Sequence, residues 1–204
     1  MTSSDKIDLF KQYKVDYQQV KTPTLLTIEE AQYLAIEGQG TPGGSVFEDR
    51  IGALYAMACT VKMTRKFAGQ QDYTVCKLEC QWWLDDDSED FDKVPQDQWH
   101  WKMLIRTPDE VTDVDLAEAQ AKLLEKGKTV SVRDVMLESL TEGRCVQMLH
   151  IGPYNREGET FKQMKAYAQT QGLHFYGRPH EIYLSDCRRV APERLKTILR
   201  YPVH

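Results

Sequence analysis

The sequence lacks the features that would place the chain in a membrane or on nucleic acid. No apolar run approaches the roughly 18 residues that a membrane-spanning helix needs, and residues 1–6 lack the apolar core of a signal peptide. The net charge is −5, without a basic tail or a stripe of lysine and arginine. We therefore expect no membrane association and no direct binding to nucleic acid.

Cysteine is scarce and shows no pairing pattern. The chain has 5 cysteines, an odd number, and no Cys-x-x-Cys motif. This usage is typical of a reducing compartment. We therefore predict a cytoplasmic protein whose thiols are free and buried.

Several well-known catalytic motifs are also missing. The sequence contains no HExxH, no P-loop and no Ser–His–Asp order, and the glycines Gly38 and Gly40 follow a strand without the rest of a dinucleotide-binding fingerprint. His150 shares a strand face with apolar residues, so we interpret it as a buried, hydrogen-bonded histidine. We predict no metal site and no cofactor.

Apolar periodicity predicts two similar βαββ units. In the first unit, a β run over 24–37 precedes a helix that starts in a capping box at Ser45 and Glu48 and stops at Gly69. Strands over 73–84 and 99–106 complete the first unit. The connector contains a helix capped by Thr112 and ended at Gly127, and a shorter helix around Val132–Leu140. The second unit contains a strand over 144–151, a helix over 157–171, and strands over 173–186 and 196–203.

One βαββ unit buries too little apolar surface to be stable alone, so two units should share a sheet. We predict an α+β fold with pseudo-twofold symmetry, an antiparallel sheet, one long helix per unit and a helical connector. An N-terminal extension (1–23) precedes a single domain over 24–204, composed of a first repeat (24–108), the connector (109–142) and a second repeat (143–204).

Two strands each present an acid beside an aromatic residue. Strand alternation places Glu181 and Tyr183 on one face of the segment 180–186, opposite an apolar face. The segment 78–84 likewise places Glu79 opposite its apolar residues. If the symmetry brings both acids into one groove, a carboxylate there could bind cations or act as a general base. The alternative is a solvated outer face of the sheet.

Aromatic residues could line such a groove, since ligand sites combine apolar walls with a few polar groups. Each of them is individually also explained by packing in the core. The candidates are Trp83, Trp101, Phe47, Tyr55, Tyr154 and Tyr33.

The chain resembles a known family over residues 24–203. The carrying motifs are Gly38-Gln39-Gly40-Thr41-Pro42, His150-Ile151-Gly152-Pro153-Tyr154, and His180-Glu181-Ile182-Tyr183-Leu184-Ser185-Asp186. They are similar to the GyrI-like small-molecule-binding domain. The segment 197–203, with Leu78-Glu79 and Trp82-Trp83, is most similar to a stand-alone subfamily, the cyclopropanoid cyclopropyl hydrolases. Cys187 departs from that pattern, in which a proline is expected.

The resemblance implies a groove with a central acid that takes flat, amphipathic or cationic molecules. Glu181 matches the position of that acid, and Tyr183, Glu79 and Trp83 match neighbouring motif positions. The subfamily implies hydrolytic opening of the cyclopropane ring of DNA-alkylating xenobiotics, a protective activity. We hypothesise that Glu181 or Glu79 is the base that activates water, and that Tyr183 or a bound water hydrogen-bonds the conjugated carbonyl group. The other aromatic candidates would complete an aromatic cage.

Two other interpretations remain open at this point. The chain could be a non-catalytic protein that sequesters drugs, or an effector sensor that works with a separate regulator. A haem-binding protein of similar duplicated architecture is disfavoured, because no histidine lies convincingly on the groove face. The sequence gives neither the physiological ligand nor the oligomeric state.

Overall fold

The computed structural model describes residues 6–85 and 91–204. Within them the strands are β1 (Thr24–Ile28), β2 (Ala31–Gln39), β3 (Leu78–Trp83), β4 (His100–Arg106), β5 (Met136–Leu140), β6 (Gly143–Ile151), β7 (His180–Tyr183) and β8 (Lys196–Pro202). The α-helices are α1 (Leu9–Gln12), α2 (Ser45–Phe67), α3 (Asp113–Glu125) and α4 (Glu157–Thr170).

The eight strands form one antiparallel sheet in the order β1-β6-β8-β7-β3-β4-β2-β5. The triplet β6-β8-β7 is matched by β2-β4-β3 on the other side, and the two triplets join where β3 pairs with β7. In chain order, the long helix of each triplet follows its first strand: α2 lies between β2 and β3, and α4 lies between β6 and β7. The prediction of an α+β fold made of two βαββ units is confirmed.

The sheet must curl, because strands that follow each other in the chain lie near its opposite edges. In a flat sheet β1 and β2, like β5 and β6, would lie six strand spacings, about 29 Å, apart. Yet only two residues separate β1 from β2, and two separate β5 from β6, which limits each link to about 11 Å. The links also touch each other, since Thr141 Oγ1 donates a hydrogen bond to Glu30 Oε2 over 3.4 Å.

The curl gives the sheet two different faces, both of them buried. On the outer face, Leu54 of α2 packs in one core cluster with Leu34 of β2, and Met164 of α4 packs in another with Leu199 of β8. An eight-stranded roll has room inside only for side chains and a small guest. The helices therefore lie outside, and the opposite face is the inner one.

The N-terminal segment lies against the inner face. After α1, the residues up to 17 form turns rather than a strand, and Tyr17 is buried in a cluster with Leu149, Ile182 and Ile198. Phe10 packs at the edge of the same cluster, stacked on Tyr17 with 4.8 Å between ring centroids. Residues 6–23 thus supply part of the core that the sheet alone leaves unfilled.

Three local predictions were wrong. The β run over 24–37 is two strands, because Glu29 and Glu30 form the link between opposite edges of the sheet. The helix expected around Val132–Leu140 is a short 3₁₀ turn followed by β5, whose backbone pairs with β2. Helix α2 does begin at Ser45, but its N-cap is Gly44 and no side chain caps it, so the capping box is absent.

The cysteine prediction was partly wrong. All five thiols are free, yet Cys59 and Cys187 are exposed.

Among the described residues, no helix is both long and apolar enough to cross a bilayer.

Gly38 makes room for a buried tryptophan. Its register partner is Trp101, and a Cβ atom at position 38 would lie 2.1 Å from the indole ring. We expect Gly38→Ala to lower the free energy of unfolding by about 1–3 kcal/mol through overpacking, measured by urea denaturation.

The matched control is Gly52→Ala in α2, where an added Cβ atom meets nothing within 4 Å. That change should stabilise the protein by up to about 1 kcal/mol, because alanine is the better helix former. Equal free energies of unfolding for Gly38→Ala and Gly52→Ala would mean that the packing of Trp101 does not depend on a glycine at position 38.

Candidate functional site

Glu181 and Tyr183 lie at the centre of the sheet on its outer face. The register of β3 and β7 places Glu181 opposite Cys80, at the seam between the two triplets. The Tyr183 hydroxyl donates a hydrogen bond to Glu181 Oε2 over 2.7 Å. Both side chains stay partly exposed, because α2 covers one side of the seam and α4 the other. A central carboxylate is therefore open to a ligand.

A second carboxyl group joins them. Glu157, in the first turn of α4, is 6% exposed, and its carboxyl group lies beside that of Glu181. We call Glu157, Glu181 and Tyr183 the seam site.

Burial sets the charge state of the seam site. It raises the pKa of Glu157 well above its usual value, and the neighbouring Glu181 raises it further. Burial also raises the pKa of Glu181, although the hydrogen bond from Tyr183 and the nearby Trp82 and Glu157 side chains oppose the rise. Two carboxyl groups in contact cannot both ionise easily. The pair therefore favours holding a proton, and the rise in pKa is larger for Glu157 than for Glu181.

Tyr183 remains a proton donor in this arrangement. Burial, and then the Glu181 charge, raise its pKa well above the usual value for a phenol. The thiol of Cys80, fully buried beneath the site, is held neutral in the same way, since burial raises its pKa.

Three buried polar atoms beside the carboxyl pair have no hydrogen-bond partner among the described residues. They are Trp82 Nε1, Thr197 Oγ1 and Glu157 Oε1. The Trp82 indole approaches Glu181, and the Thr197 hydroxyl approaches Glu157, without reaching hydrogen-bond geometry. Buried polar groups in native proteins almost always have partners. Unsatisfied atoms grouped around one carboxyl pair indicate a place for a water molecule or a polar group of a ligand.

Aromatic rings form the wall of the seam site on the side of α2. Phe47 stacks on Trp82 with 5.9 Å between ring centroids and meets Trp101 edge-on at 5.1 Å. Trp82 in turn meets Trp99 edge-on at 6.0 Å. Trp101 is fully buried behind Phe47, so it supports the wall rather than forming its surface.

Two tyrosines stand at the rim. Tyr154 meets Tyr183 edge-on, with 5.8 Å between ring centroids, and lies near the exposed Cys187. Tyr55 on α2 is the other, close to the charged loop residues Asp186 and Arg188.

Glu79 does not join this site, and the expectation that both acids face one groove was wrong. Its register partner is Ile182, so Glu79 points to the inner face while Glu181 points to the outer one. There Tyr17 donates a hydrogen bond to Glu79 Oε1 over 2.9 Å, and His180 Nε2 lies 3.0 Å from Glu79 Oε2. Because the sheet is curled, a polar side chain opposite an apolar face can still be fully enclosed.

Glu79 belongs instead to a buried ionic network. His180 Nδ1 lies 2.8 Å from Glu142 Oε1, and Glu142 also pairs with Arg200. Arg200 Nε donates to Gln147 Oε1 over 2.8 Å, and its Nη2 donates to the main-chain oxygen of Asp16 over 2.6 Å. The network ties the N-terminal segment to four strands of the inner face, β3, β6, β7 and β8.

Two other aromatic candidates also lie away from the seam site. Tyr33 is buried on the inner face in a cluster with Ala35 and Leu104. Trp83 is held between the guanidinium of Arg178, 3.6 Å from its ring centroid, and the ring of His100, stacked at 5.5 Å.

Sequence reasoning missed Glu157, Trp82 and Thr197 as members of the site. An acid in the first turn of a helix is ordinarily explained by the helix dipole, and Trp82 fitted an apolar strand face. The one available signal was that Glu157 follows the Gly152-Pro153-Tyr154 junction in the second repeat.

Among the described residues, no group of three or more His, Cys, Asp or Glu side chains could hold a metal ion.

Comparison with solved structures finds close relatives. A conserved protein of unknown function from Listeria innocua is 36% identical, with a TM-score of 0.91 over 98% of this chain and 100% of that chain. Two structures described as a hydrolase from Listeria innocua are each 35% identical, with TM-scores of 0.87 and 0.89 over the same shares. No curated protein matches the sequence.

A family model accounts for most of the chain. The GyrI-like small molecule binding domain matches residues 21–204, which include every strand of the sheet and the whole seam site. The resemblance to the GyrI-like small-molecule-binding domain is therefore confirmed. The chain belongs to the family of GyrI-like small molecule binding domains.

Proposed function

We propose that the seam site binds flat, amphipathic molecules and hydrolyses the cyclopropane ring of cyclopropanoid DNA-alkylating xenobiotics. The observation that carries the proposal is the pair of adjacent carboxyl groups of Glu157 and Glu181 beside aromatic walls. Relatives that are 35% identical are described as hydrolases, which supports a hydrolytic reaction.

In the proposed reaction Glu181 takes a proton from a water molecule. The water oxygen bonds to the cyclopropane methylene carbon, and the ring C–C bond breaks. Its electron pair moves into the conjugated carbonyl group, which becomes a phenolate. The proton on Glu181 then passes to the phenolate oxygen, so the net change is the addition of one water molecule.

The remaining groups position the reactants. Tyr183 orients Glu181 through its 2.7 Å hydrogen bond. The unsatisfied N–H of Trp82 is a donor for the carbonyl oxygen as charge develops there, since a preorganised donor stabilises such charge. Phe47 and Tyr154 would hold the flat substrate, and positioning of this kind can supply much of a rate enhancement.

The second candidate is a protein that binds such compounds without turnover, which the small-molecule-binding family favours. Product formation separates the two. We expect incubation with a cyclopropanoid to give, over many turnovers, a product heavier by one water molecule, detected by mass spectrometry. Water enriched in heavy oxygen should place the label in the new hydroxyl group. Recovery of intact compound after stoichiometric protection would contradict hydrolysis and support the binder.

A further inference from the structure

A cavity of about 490 Å³ lies away from the seam site, where the inner face opens beyond the end of β7. Leu184 follows β7 directly and packs, like Phe10, against the inner-face cluster that contains Tyr17 and Ile182. The seam site lies on the other face of the same strand. The cavity, which we call the mouth cavity, is therefore separate from the carboxyl pair.

The floor of the mouth cavity is apolar. Phe10, Leu184 and Val190 line it, and all three are partly exposed there. The mouths of curled sheets and barrels are common positions for small-molecule sites, because the rolled strands leave a concave end. An apolar group of a ligand would gain burial on this floor.

The rim of the mouth cavity is cationic. Lys77, Arg194 and Lys196 line it, and no aspartate or glutamate is among its lining residues in the part of the chain that the structure describes. The ammonium group of Lys77 lies 5.8 Å from the Phe10 ring centroid, which places it directly over the floor. This concentration of positive charge contrasts with the chain's net charge of −5.

Ser185 adds a donor between the floor and the rim. Its Oγ accepts a hydrogen bond from the main-chain N–H of Lys196 over 3.1 Å, and its own O–H can still donate. A hydroxyl donor beside three cations suits an anion, since hydrogen bonds to charged groups are the stronger ones.

We propose that the mouth cavity binds a small amphipathic anion, a carboxylate or sulfonate carried on an aromatic ring or a short alkyl chain. The anionic group lies among Lys77, Arg194 and Lys196, and the apolar part lies on Phe10 and Leu184. The seam site cannot take such a ligand well, because it already holds a carboxylate. The assignment does not depend on hydrolysis at the seam site.

The test uses two probes that differ only by the anionic group. They are 8-anilinonaphthalene-1-sulfonate and its neutral counterpart N-phenyl-1-naphthylamine. We expect the sulfonate to bind the full chain saturably in a fluorescence titration and to be displaced by decanoate. Lys77→Gln, Arg194→Gln and Lys196→Gln should each weaken sulfonate binding by up to about fivefold, the usual range for one exposed ion pair. Binding of the neutral probe should be unchanged.

Two further variants separate the sites. Lys128→Gln removes an exposed lysine that does not line the cavity and should leave sulfonate binding at the wild-type level. Glu181→Gln should not weaken it. Sulfonate affinity that resists all three rim substitutions, falls equally in Lys128→Gln, or falls in Glu181→Gln would overturn the proposal. Hydrolysis of a cyclopropanoid by the Lys77→Gln variant reports on the seam site alone, so failure of one proposal is distinguishable from failure of the other.

Discussion

Replacing Glu181 with glutamine should reduce turnover of a cyclopropanoid by about 10²–10⁴-fold, the range that a positioned general base supplies. Glutamine keeps the shape of the side chain and can still accept a hydrogen bond from Tyr183, so ligand binding should be largely retained. The variant should be as stable as wild type or slightly more stable, because burial raises the pKa of Glu181 and so disfavours its charged form in the folded protein. Single-turnover kinetics, ligand titration and urea denaturation measure the three quantities.

The matched control for this substitution is Glu159→Gln. Glu159 lies one half-turn along α4 from Glu157, is 64% exposed and pairs only with Arg156 among the contacts of the described chain. It should hydrolyse at the wild-type rate. A wild-type rate in Glu181→Gln would remove Glu181 from the role of base, and Glu157→Gln would then be the next variant to assay. Loss of ligand binding together with turnover would instead indicate that Glu181 anchors the ligand.

Local patterns in the sequence were sufficient for most of the elements. The helix capped at Thr112 is present with the reciprocal hydrogen bonds of a capping box, and Gly127 follows its end in a left-handed conformation. Strand alternation correctly placed Glu181 and Tyr183 on one face. These features depend on residues that are close in the chain, so periodicity and turn chemistry report them directly.

The sequence could not reveal which face of each strand points inward. Alternation shows which residues share a face with Glu79, or with Glu181, within one strand, but it does not give the register between the strands. A shift of one residue in that register reverses the faces. In the structure Glu181 is opposite Cys80 rather than Glu79. A polar face normally indicates solvent, but in a curled sheet with helices outside and a chain segment inside, both faces are buried.

The partners of the inner-face charges were equally invisible, because they come from distant parts of the chain. Tyr17 and Glu79 are 62 positions apart, and Glu142 and Arg200 are 58 apart. No spacing rule for helices or strands links such residues. The same holds for Glu157, which reaches Glu181 only because α4 packs beside the seam.

Replacing Glu142 with glutamine should be the most destabilising single change of a polar side chain discussed for this protein. Glu142 is the shared anion between His180 and Arg200, both almost completely buried. The amide has nearly the same shape but leaves two buried cations without their principal counter-charge. Removing one partner of a buried ion pair typically costs about 3–5 kcal/mol. We expect a loss of that size at about pH 6, measured by urea denaturation.

The dependence on pH distinguishes this charge effect from a simple packing defect. Burial opposes both charged forms, but the carboxylates of Glu142 and Glu79 outweigh it and raise the pKa of His180 from 6.5 to about 9. Arg200 and His180 likewise outweigh burial and lower the pKa of Glu142 to about 2. The stabilisation from His180 is therefore complete below about pH 6.5 and is lost as the pH rises through about 9, at up to about 1.4 kcal/mol per pH unit. The stabilisation from Glu142 is present above its usual pKa and is lost only as the pH falls through about 2.

Wild-type stability should consequently decline between about pH 6.5 and 8.5, and the decline should be much smaller in Glu142→Gln. Glu159→Gln, which breaks an exposed pair, should lose less than about 1 kcal/mol and keep the wild-type slope. A wild-type stability that does not change with pH, or equal stability of Glu142→Gln and Glu159→Gln, would show that the buried network does not hold His180 in its charged form.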